Sequence, residues 1–494
     1  MRESFIIEGL AGQKILKGSV KIAGAKNAAL KAMAASILFD APVQLNNIPD
    51  TEDIHVMSEI LEKLGAKVVW SQNSLNIDTT GISSTVIDPK LAAIMRASVV
   101  LTGPILARFG KVSFPTPGGC VIGARPIDLF INGYEKMGAT ISETDFNYTI
   151  EMPQIGLLNN STNGISGTSA IGGQSRSETD RTGLGNPSAI QIHFDKKTVG
   201  GTETLMMAAV LGGGTMTLMN CAMEPEIVNL AEWLNECGAD IQGVGTETIM
   251  INGTGGKLLS PKMPYVAIPD RIEAGSYLIL GALCAENMTI ENCRPDHLAL
   301  LIDMLIKSGV PIEIINHETS MSSIKSAGPS GQIFYGRIII TGNTKPNSTF
   351  KSFDVSTKEY PGFPTDLQAQ IVTYLTQVTG GSIVTENIFE GRFKYVSDLQ
   401  KMGAKLELID AKEVSIVGPA ELRKEHMDTH HQSNDGLDQH LNAHDIRAGF
   451  AIVMAALVGK GIFTVNNTYF IDRGYEKLEE RLTALGANIR RVTL

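Results

Sequence analysis

The segment "LEKLGAKV" at 61–68 reads as the last turn of a helix, a glycine stop and the opening of a strand, and the chain writes it six times. It returns as "YEKMGATI" at 134–141, "LNECGADI" at 234–241, "LIKSGVPI" at 305–312, "LQKMGAKL" at 399–406 and "LTALGANI" at 482–489. Glycine at such a stop is best explained by the left-handed backbone that closes many helices, a conformation other residues adopt only with strain. The six glycines are therefore scaffold, with no catalytic role. They fall at 65, 138, 238, 309, 403 and 486, in steps of 73, 100, 71, 94 and 83 residues. A unit of about 70 residues with insertions explains these steps, and it exceeds the period of common solenoids.

Before each stop lie an apolar helix, a short β-rich run, a loop often containing Asn, and a second helix. "AASILFDAPVQLNNIPDTEDIHVMSEILEKLGA" at 34–66 sets the pattern, and "AGSYLILGALCAENMTIENCRPDHLALLIDMLIKSGV" at 274–310 repeats it. A unit with two helices and several strands is a small α/β layer whose sheet still needs neighbours to cover it. Six such units group as three and three. The length of 494 residues, 43% of them hydrophobic, supports two or more domains with large cores.

The remaining bulk properties exclude several function classes. The opening "MRESFIIEGLAGQKILKG" lacks a basic segment followed by an apolar one, and the apolar run "AGFAIVMAALVG" at 448–459 is too short to span a bilayer. A cytoplasmic protein without membrane insertion is expected. Cys120, Cys221, Cys237, Cys284 and Cys293 are odd in number and form no CxxC pair, against both a disulfide framework and a zinc site. A net charge of −10 disfavours a nucleic-acid surface, so an anionic ligand must be held by local cations working against the overall field.

Two segments break the rhythm. Residues 159–187, "NNSTNGISGTSAIGGQSRSETDRTGLGNP", lack apolar periodicity and read as a flexible insertion in the third unit. Residues 421–444 hold five of the nine histidines, His426, His430, His431, His440 and His444. With no apolar framework to fix metal ligands, this tract reads as a solvated polar insertion rather than a metal site.

The unusual residues collect in loops that precede helices: "AGAKNAAL" at 23–30, "MRASVVL" at 95–101, "PGGCVIGARPIDL" at 117–129, "DRIEAGS" at 270–276, "PGFPTDLQAQ" at 361–370, "DIRAGFA" at 445–451 and "IDRGYEK" at 471–477. A helix start presents unpaired N–H groups and about half a positive charge. Several starts facing one cleft, each with a Lys or Arg, make an anion site. Any one of these cations alone reads as a surface charge; their recurrence at equivalent points of the repeat argues otherwise.

"PGGCVIGARP", together with "IAGAKNA" at 22–28, "FPTDLQAQ" at 363–370, "GRF" at 391–393 and "IDRGYEKLEERLTALGANI" at 471–489, resembles the UDP-N-acetylglucosamine 1-carboxyvinyltransferase family, the enolpyruvyl transferases that open peptidoglycan synthesis. The likeness covers nearly the whole chain outside the two insertions. It implies a two-domain inside-out α/β barrel of six βαβαββ-type units, three per domain, with helices inside and sheets outside. The implied domains are 21–268, and 1–20 plus 269–494, with linking strands near 18–22 and 264–272 as a hinge.

The resemblance further implies transfer of the enolpyruvyl group of phosphoenolpyruvate to the 3′-hydroxyl of UDP-N-acetylglucosamine, with no cofactor and no metal. By motif match, Lys26, Arg125 and Arg473 grip phosphoenolpyruvate, and three cations suit a carboxylate plus a phosphate. Asn27, Asp366, Arg392, Asp445 and Arg447 line the same cleft, with Asp366 the base for the sugar hydroxyl. Without its "FPTDLQAQ" context, Asp366 would read as an ordinary acid opening a helix. Arg125, Pro126, Ile127, Asp128 and Leu129 are matched to the nucleotide, and Thr198, Val199 and Gly200 to its diphosphate through N–H groups. Arg96 is matched to loop organisation and Ile388 to the sugar. Thr198 stands where many relatives have Ser, and Phe130 where some have His.

Cys120, close to Arg125, suits a lowered pKa and a role as proton donor or nucleophile. In the family this cysteine serves in acid catalysis or product release and is alkylated by fosfomycin; the other four read as buried thiols. Three alternatives stay open: the sister reaction on shikimate 3-phosphate, a phosphate-chemistry enzyme such as an RNA 3′-phosphate cyclase, and a non-catalytic UDP-sugar binder. The Cys120 loop disfavours the first, the acidic charge the second, and the retained cations and Asp366 the third. No protein partner is identified by the sequence.

Overall fold

The computed structural model describes residues 3–115, 128–144, 147–152, 190–315, 335–424 and 440–493. All six glycine stops lie among them, and each is left-handed: Gly65, Gly138, Gly238, Gly309, Gly403 and Gly486 have φ between 91° and 114°. The six helices end in one pair of bonds. The glycine N–H reaches the carbonyl three residues back and the next N–H reaches five back, as in Gly65 to Glu62 (2.9 Å) with Ala66 to Leu61 (3.0 Å), and Gly486 to Thr483 (2.9 Å) with Ala487 to Leu482 (3.0 Å). Two otherwise orphaned carbonyls are satisfied each time.

A sheet accompanies every stop. Tyr265–Val266 runs parallel to Val43–Asn46, which pairs antiparallel with Ser74–Asp78, which in turn pairs antiparallel with Lys67–Ser71. The same parallel, antiparallel, antiparallel order recurs around Thr215–Met219, Ala285–Cys293, Gly380–Thr385 and Ile462–Asn466. Around Lys111–Pro115 the parallel strand shrinks to one bridge between Val86 and Ser113.

Three of these strands come from distant sequence. Glu3–Glu8 lies between Ile462–Asn466 and Asn488–Thr493, Leu16–Lys21 lies beside Ala285–Cys293, and Tyr265–Val266 completes the sheet of Val43–Asn46. The connections that carry the chain across run side by side: the Ala25 N–H donates to Ile268 O (2.7 Å) and the Asp270 N–H to Ala23 O (2.9 Å).

Helix composition decides which layer each helix joins. Lys26–Ala35, Val199–Val210, Arg271–Cys284, Gln368–Leu375 and Ile446–Val458 are rich in Ala, Leu, Ile, Val and Met on every side and are buried almost throughout. Glu52–Leu64 is two-faced: Ile54, Met57, Ile60, Leu61 and Leu64 are buried, whereas His55, Glu59, Glu62 and Lys63 are exposed. Buried side chains form two large apolar cores. One draws on residues from Ala29 to Ala267, and the other joins Phe5, Ile7, Leu16, Val20 and Ile22 to residues from Ile272 to Ile489. Helices thus lie inside and sheets outside, as the resemblance implied. Among the described residues no helix is long and apolar enough to cross a membrane. The 159–187 insertion lies outside the described residues, as do His426, His430 and His431.

Candidate active site

Lys26 opens the buried helix Lys26–Ala35, and its Nζ lies 2.7 Å from Asp53 Oδ2. The other oxygen, Asp53 Oδ1, accepts from Arg473 Nε at 2.8 Å. One carboxylate therefore ties a cation of the first unit to a cation of the last. Burial is the largest influence on both partners: it draws the Lys26 ammonium below its ordinary pKa, with Asp53 opposing. At Asp53 burial works to raise the pKa, but Lys26 and Arg473 together outweigh it, and the carboxyl sits below its usual range.

A second carboxylate, Asp366, faces two cations drawn from the later units alone. Asp366 lies in the short turn Thr365–Leu367, which Pro364 introduces. Its Oδ1 is 2.8 Å from Arg392 Nη2 and its Oδ2 is 3.7 Å from Arg447 Nη2. Arg392 Nη1 also donates to Thr365 Oγ1 at 2.6 Å. Arg447 lies 5.3 Å over the Tyr475 ring, and its Nη1 is buried with no hydrogen-bond partner among the described residues. Asp445 caps the helix Ile446–Val458, accepting from the N–H groups of Arg447 (2.8 Å) and Ala448 (2.9 Å). One of its oxygens is thus committed to orienting the helix that carries Arg447.

Residues 10–159 and 179–482 match the family model of EPSP synthase (3-phosphoshikimate 1-carboxyvinyltransferase). The chain belongs to the EPSP synthase family. Curated relatives include a UDP-N-acetylglucosamine 1-carboxyvinyltransferase of Nitratiruptor sp., 38% identical over 98% of this chain and 99% of that protein. Another, UDP-N-acetylglucosamine 1-carboxyvinyltransferase 2 of Carboxydothermus hydrogenoformans, is 38% identical over 99% of this chain and all of that one (100%). Among solved structures, the enolpyruvyl transferase NikO from Streptomyces tendae superposes with a TM-score of 0.74 at 21% identity, covering 100% of this chain and 99% of that one. The EPSP synthase of Acinetobacter baumannii gives 0.66 at 14%, covering 100% of both. These two establish the fold.

Other family-matched residues fall at helix starts or close to them. Asn27 follows Lys26 and is half-buried. Thr198 caps Val199–Val210 with its Oγ1 accepting from the Gly201 N–H at 3.1 Å, which leaves Val199 and Gly200 in the first turn. Arg96 begins the turn Arg96–Leu101. The Ile388 carbonyl receives Lys196 Nζ at 3.4 Å, which brings the Thr198 segment to the Ile388 segment. Asp128 and Leu129 open the helix Asp128–Lys136, and their side chains, like all of Cys120, Arg125, Pro126 and Ile127, lie outside the described residues. Phe130 is buried and meets Tyr134 edge to face. Cys221, Cys237, Cys284 and Cys293 are buried free thiols, and burial pushes Cys284 and Cys293 up to about 12. His444 pairs with Asp398 at 2.6 Å, and no group of three or more His, Cys, Asp and Glu is placed to hold a metal among the described residues.

Sequence reading missed two carboxylates. In "NNIPDTEDIHVM" Asp53 looks like a first-turn acid of a surface helix, yet it is 3% exposed between two cations. In "IVTENIFEGRF" Glu386 looks like a loop acid, yet it is buried and accepts from Thr357 Oγ1 (3.0 Å), Thr365 Oγ1 (2.8 Å) and the N–H groups of Ile388 (2.8 Å) and Phe389 (3.1 Å). It ties the Asp366 turn to the Ile388 turn. The helix period carried a signal for Asp53, which stands four residues before Met57 and seven before Ile60 on the buried face, whereas its neighbour Glu52 occupies the solvent side.

Proposed function

We infer that this chain transfers the enolpyruvyl group of phosphoenolpyruvate to the 3′-hydroxyl of UDP-N-acetylglucosamine, releasing phosphate in the first committed step of peptidoglycan synthesis. The observation that carries the reading is the end-to-end likeness, at 38% identity, to curated relatives bearing that activity in their names. The reading makes the protein a cytoplasmic enzyme with two soluble, anionic substrates.

In this reading Lys26 and Arg473, with Arg125, neutralise the carboxylate and phosphate of phosphoenolpyruvate, and Nη1 of Arg447, without a hydrogen-bond partner among the described residues, offers a further donor. Asp366, its carboxylate held by Arg392 and Arg447, accepts the proton of the sugar hydroxyl as that oxygen adds to the substrate's central carbon. The methylene carbon takes up a proton in the same stage, with Cys120 a candidate acid. Loss of that proton and of phosphate from the tetrahedral adduct restores the double bond. The N–H groups of Val199 and Gly200, at the start of a buried helix, receive the diphosphate, while Asn27, Ile388 and the 125–129 segment engage the nucleotide sugar and Arg96 organises that loop.

The proposed domains are 21–268, and 1–20 plus 269–494. Because Lys26, Asn27 and Thr198 belong to one and Asp366, Arg392, Arg447 and Arg473 to the other, the catalytic assembly requires the two to close. The test is phosphate release from phosphoenolpyruvate with UDP-N-acetylglucosamine, with shikimate 3-phosphate, and with neither. Release that depends on the nucleotide sugar supports the reading. Release with shikimate 3-phosphate alone, or none with either acceptor, overturns it.

A further inference from the structure

We propose that Asp53 is a positioning residue for the phosphoenolpyruvate site: its carboxylate holds the Lys26 ammonium and the Arg473 guanidinium at one point, so that the two cations become a single anion receptor only where the first and last units meet. The proposal rests on the function inferred above and adds a residue to it. Asp53 is 3% exposed and uses one oxygen for each cation, at 2.7 and 2.8 Å. Two cations and one carboxylate leave a net positive charge in a water-poor place, which suits an anionic ligand.

The alternative is that Asp53 merely stabilises its own helix. A carboxylate in a first turn contributes only modestly to its own helix, and Asn keeps the size and one hydrogen-bonding oxygen of that side chain. What Asn cannot preserve is the protonation of Lys26. Burial is the largest influence lowering that amine, and Arg447 and Arg473 lower it further; Asp53 is the partner that opposes them. The other charged groups facing Lys26 are Asp270, whose Oδ2 lies 3.4 Å from the Lys26 backbone N, and Glu273 and Glu476, which line the crevice beside it with Thr51 and Gly474. Among the described residues Asp53 is the carboxylate in hydrogen-bond contact with the ammonium.

The test compares wild type, Asp53→Asn and Asp53→Glu in two ways. The first is the pH dependence of kcat/KM for phosphoenolpyruvate, and the second is the pH dependence of Lys26 acetylation by a neutral anhydride, read by peptide mass spectrometry. Asp53→Asn should lower kcat/KM by at least about thirtyfold, mostly through KM, and move both the alkaline limb and the Lys26 labelling curve about one unit or more toward acid, since Lys26 loses its nearest counter-charge. Asp53→Glu should restore much of both. A folded Asp53→Asn with unmoved limb and unmoved labelling overturns the proposal. If Asp53→Asn fails to fold, Asp53→Ser decides: a labelling curve moved about one unit toward acid supports the role, and one left at the wild-type position refutes it. Labelling needs no turnover, so a wild-type protein without phosphate release would count against the inferred function and still leave Asp53 decided.

Discussion

The protein builds the same charge triplet twice and anchors it in opposite ways. Around Asp53 one carboxylate joins Lys26 and Arg473, whose sequence positions lie in the first and last repeat units. Around Asp366 one carboxylate faces Arg392 and Arg447, all from the later units, on a turn already fixed by Glu386 through Thr365. The first triplet exists only by virtue of contact between distant parts of the chain. The second is drawn from the later units alone. Under the proposed function, a triplet shared between distant parts of the chain suits capture of a small anion, whereas a carboxylate between two guanidinium groups of the later units suits proton transfer.

The largest effects are expected at the triplet that joins the first and last units. Lys26→Ala or Arg473→Ala should lower kcat/KM for phosphoenolpyruvate by at least about a hundredfold, because each removes a donor aimed at developing charge and leaves Asp53 buried with one fewer partner. Steady-state phosphate release measures it, and a loss below about tenfold would break the comparison. Asp366→Asn should act differently. It should lower kcat by about a hundredfold, the lower range for a general base, with the KM for phosphoenolpyruvate held within about threefold. An equal rise in KM would mean that the second triplet also serves in capture.

How much of this was legible beforehand follows from where each signal resides. The glycine stops were readable because a positive φ is a local requirement, and the chain met it with the same residue six times. That helices lie inside and sheets outside came from the family resemblance, and the structure supplies the physical reason: an all-round apolar composition leaves only the interior. Lys26, Asp366, Arg447 and Arg473 were singled out through long motifs, but Asp53 and Glu386 were not, since their partners Arg473 and Thr357 come from segments hundreds or tens of residues away. Asp445 marks the boundary between the cases, a motif residue whose carboxylate is held by the start of its own helix.

The two apolar cores also differ in their buried titratable groups, and the difference has a sign. In the first, burial raises Glu203 to about 7 despite its ion pair with Lys31 at 3.0 Å. The folded state then holds a proton that the unfolded chain has lost, so stability falls as pH rises from about 4.5 to about 7. In the second core, Lys14 donates to Ala282 O and Asn343 Oδ1, both at 2.8 Å, and burial lowers it to about 7. Here the unfolded chain holds the extra proton, so stability rises with pH between about 7 and 10.5. Denaturant midpoints across pH should show a falling limb lost in Glu203→Gln and a rising limb lost in Lys14→Met. Loss of the falling limb in Lys14→Met would reverse the assignment.

The smallest effect tests whether the six units are equivalent beneath their specialised loops. A Cβ added at Gly238 or Gly486 meets nothing within 4 Å, so alanine there suffers only the left-handed backbone, which costs an L residue roughly 1–2 kcal/mol. Gly238→Ala and Gly486→Ala, one from each core, should therefore lose about the same stability, and asparagine should lose less at both because it tolerates this conformation. Gly65 is the internal control: its added Cβ would stand 2.6 Å from the Gly81 carbonyl oxygen, so Gly65→Ala should be distinctly worse than either. Urea midpoints measure all three, and turnover of folded protein should be unchanged, since none of these glycines borders either triplet. Equal losses at Gly65 and Gly486 would mean that backbone conformation alone sets the cost and the Gly81 contact yields freely. A clear loss of activity in Gly486→Ala would mean instead that the last helix stop helps to hold Arg473 against Asp53, and the scaffold could no longer be separated from the site.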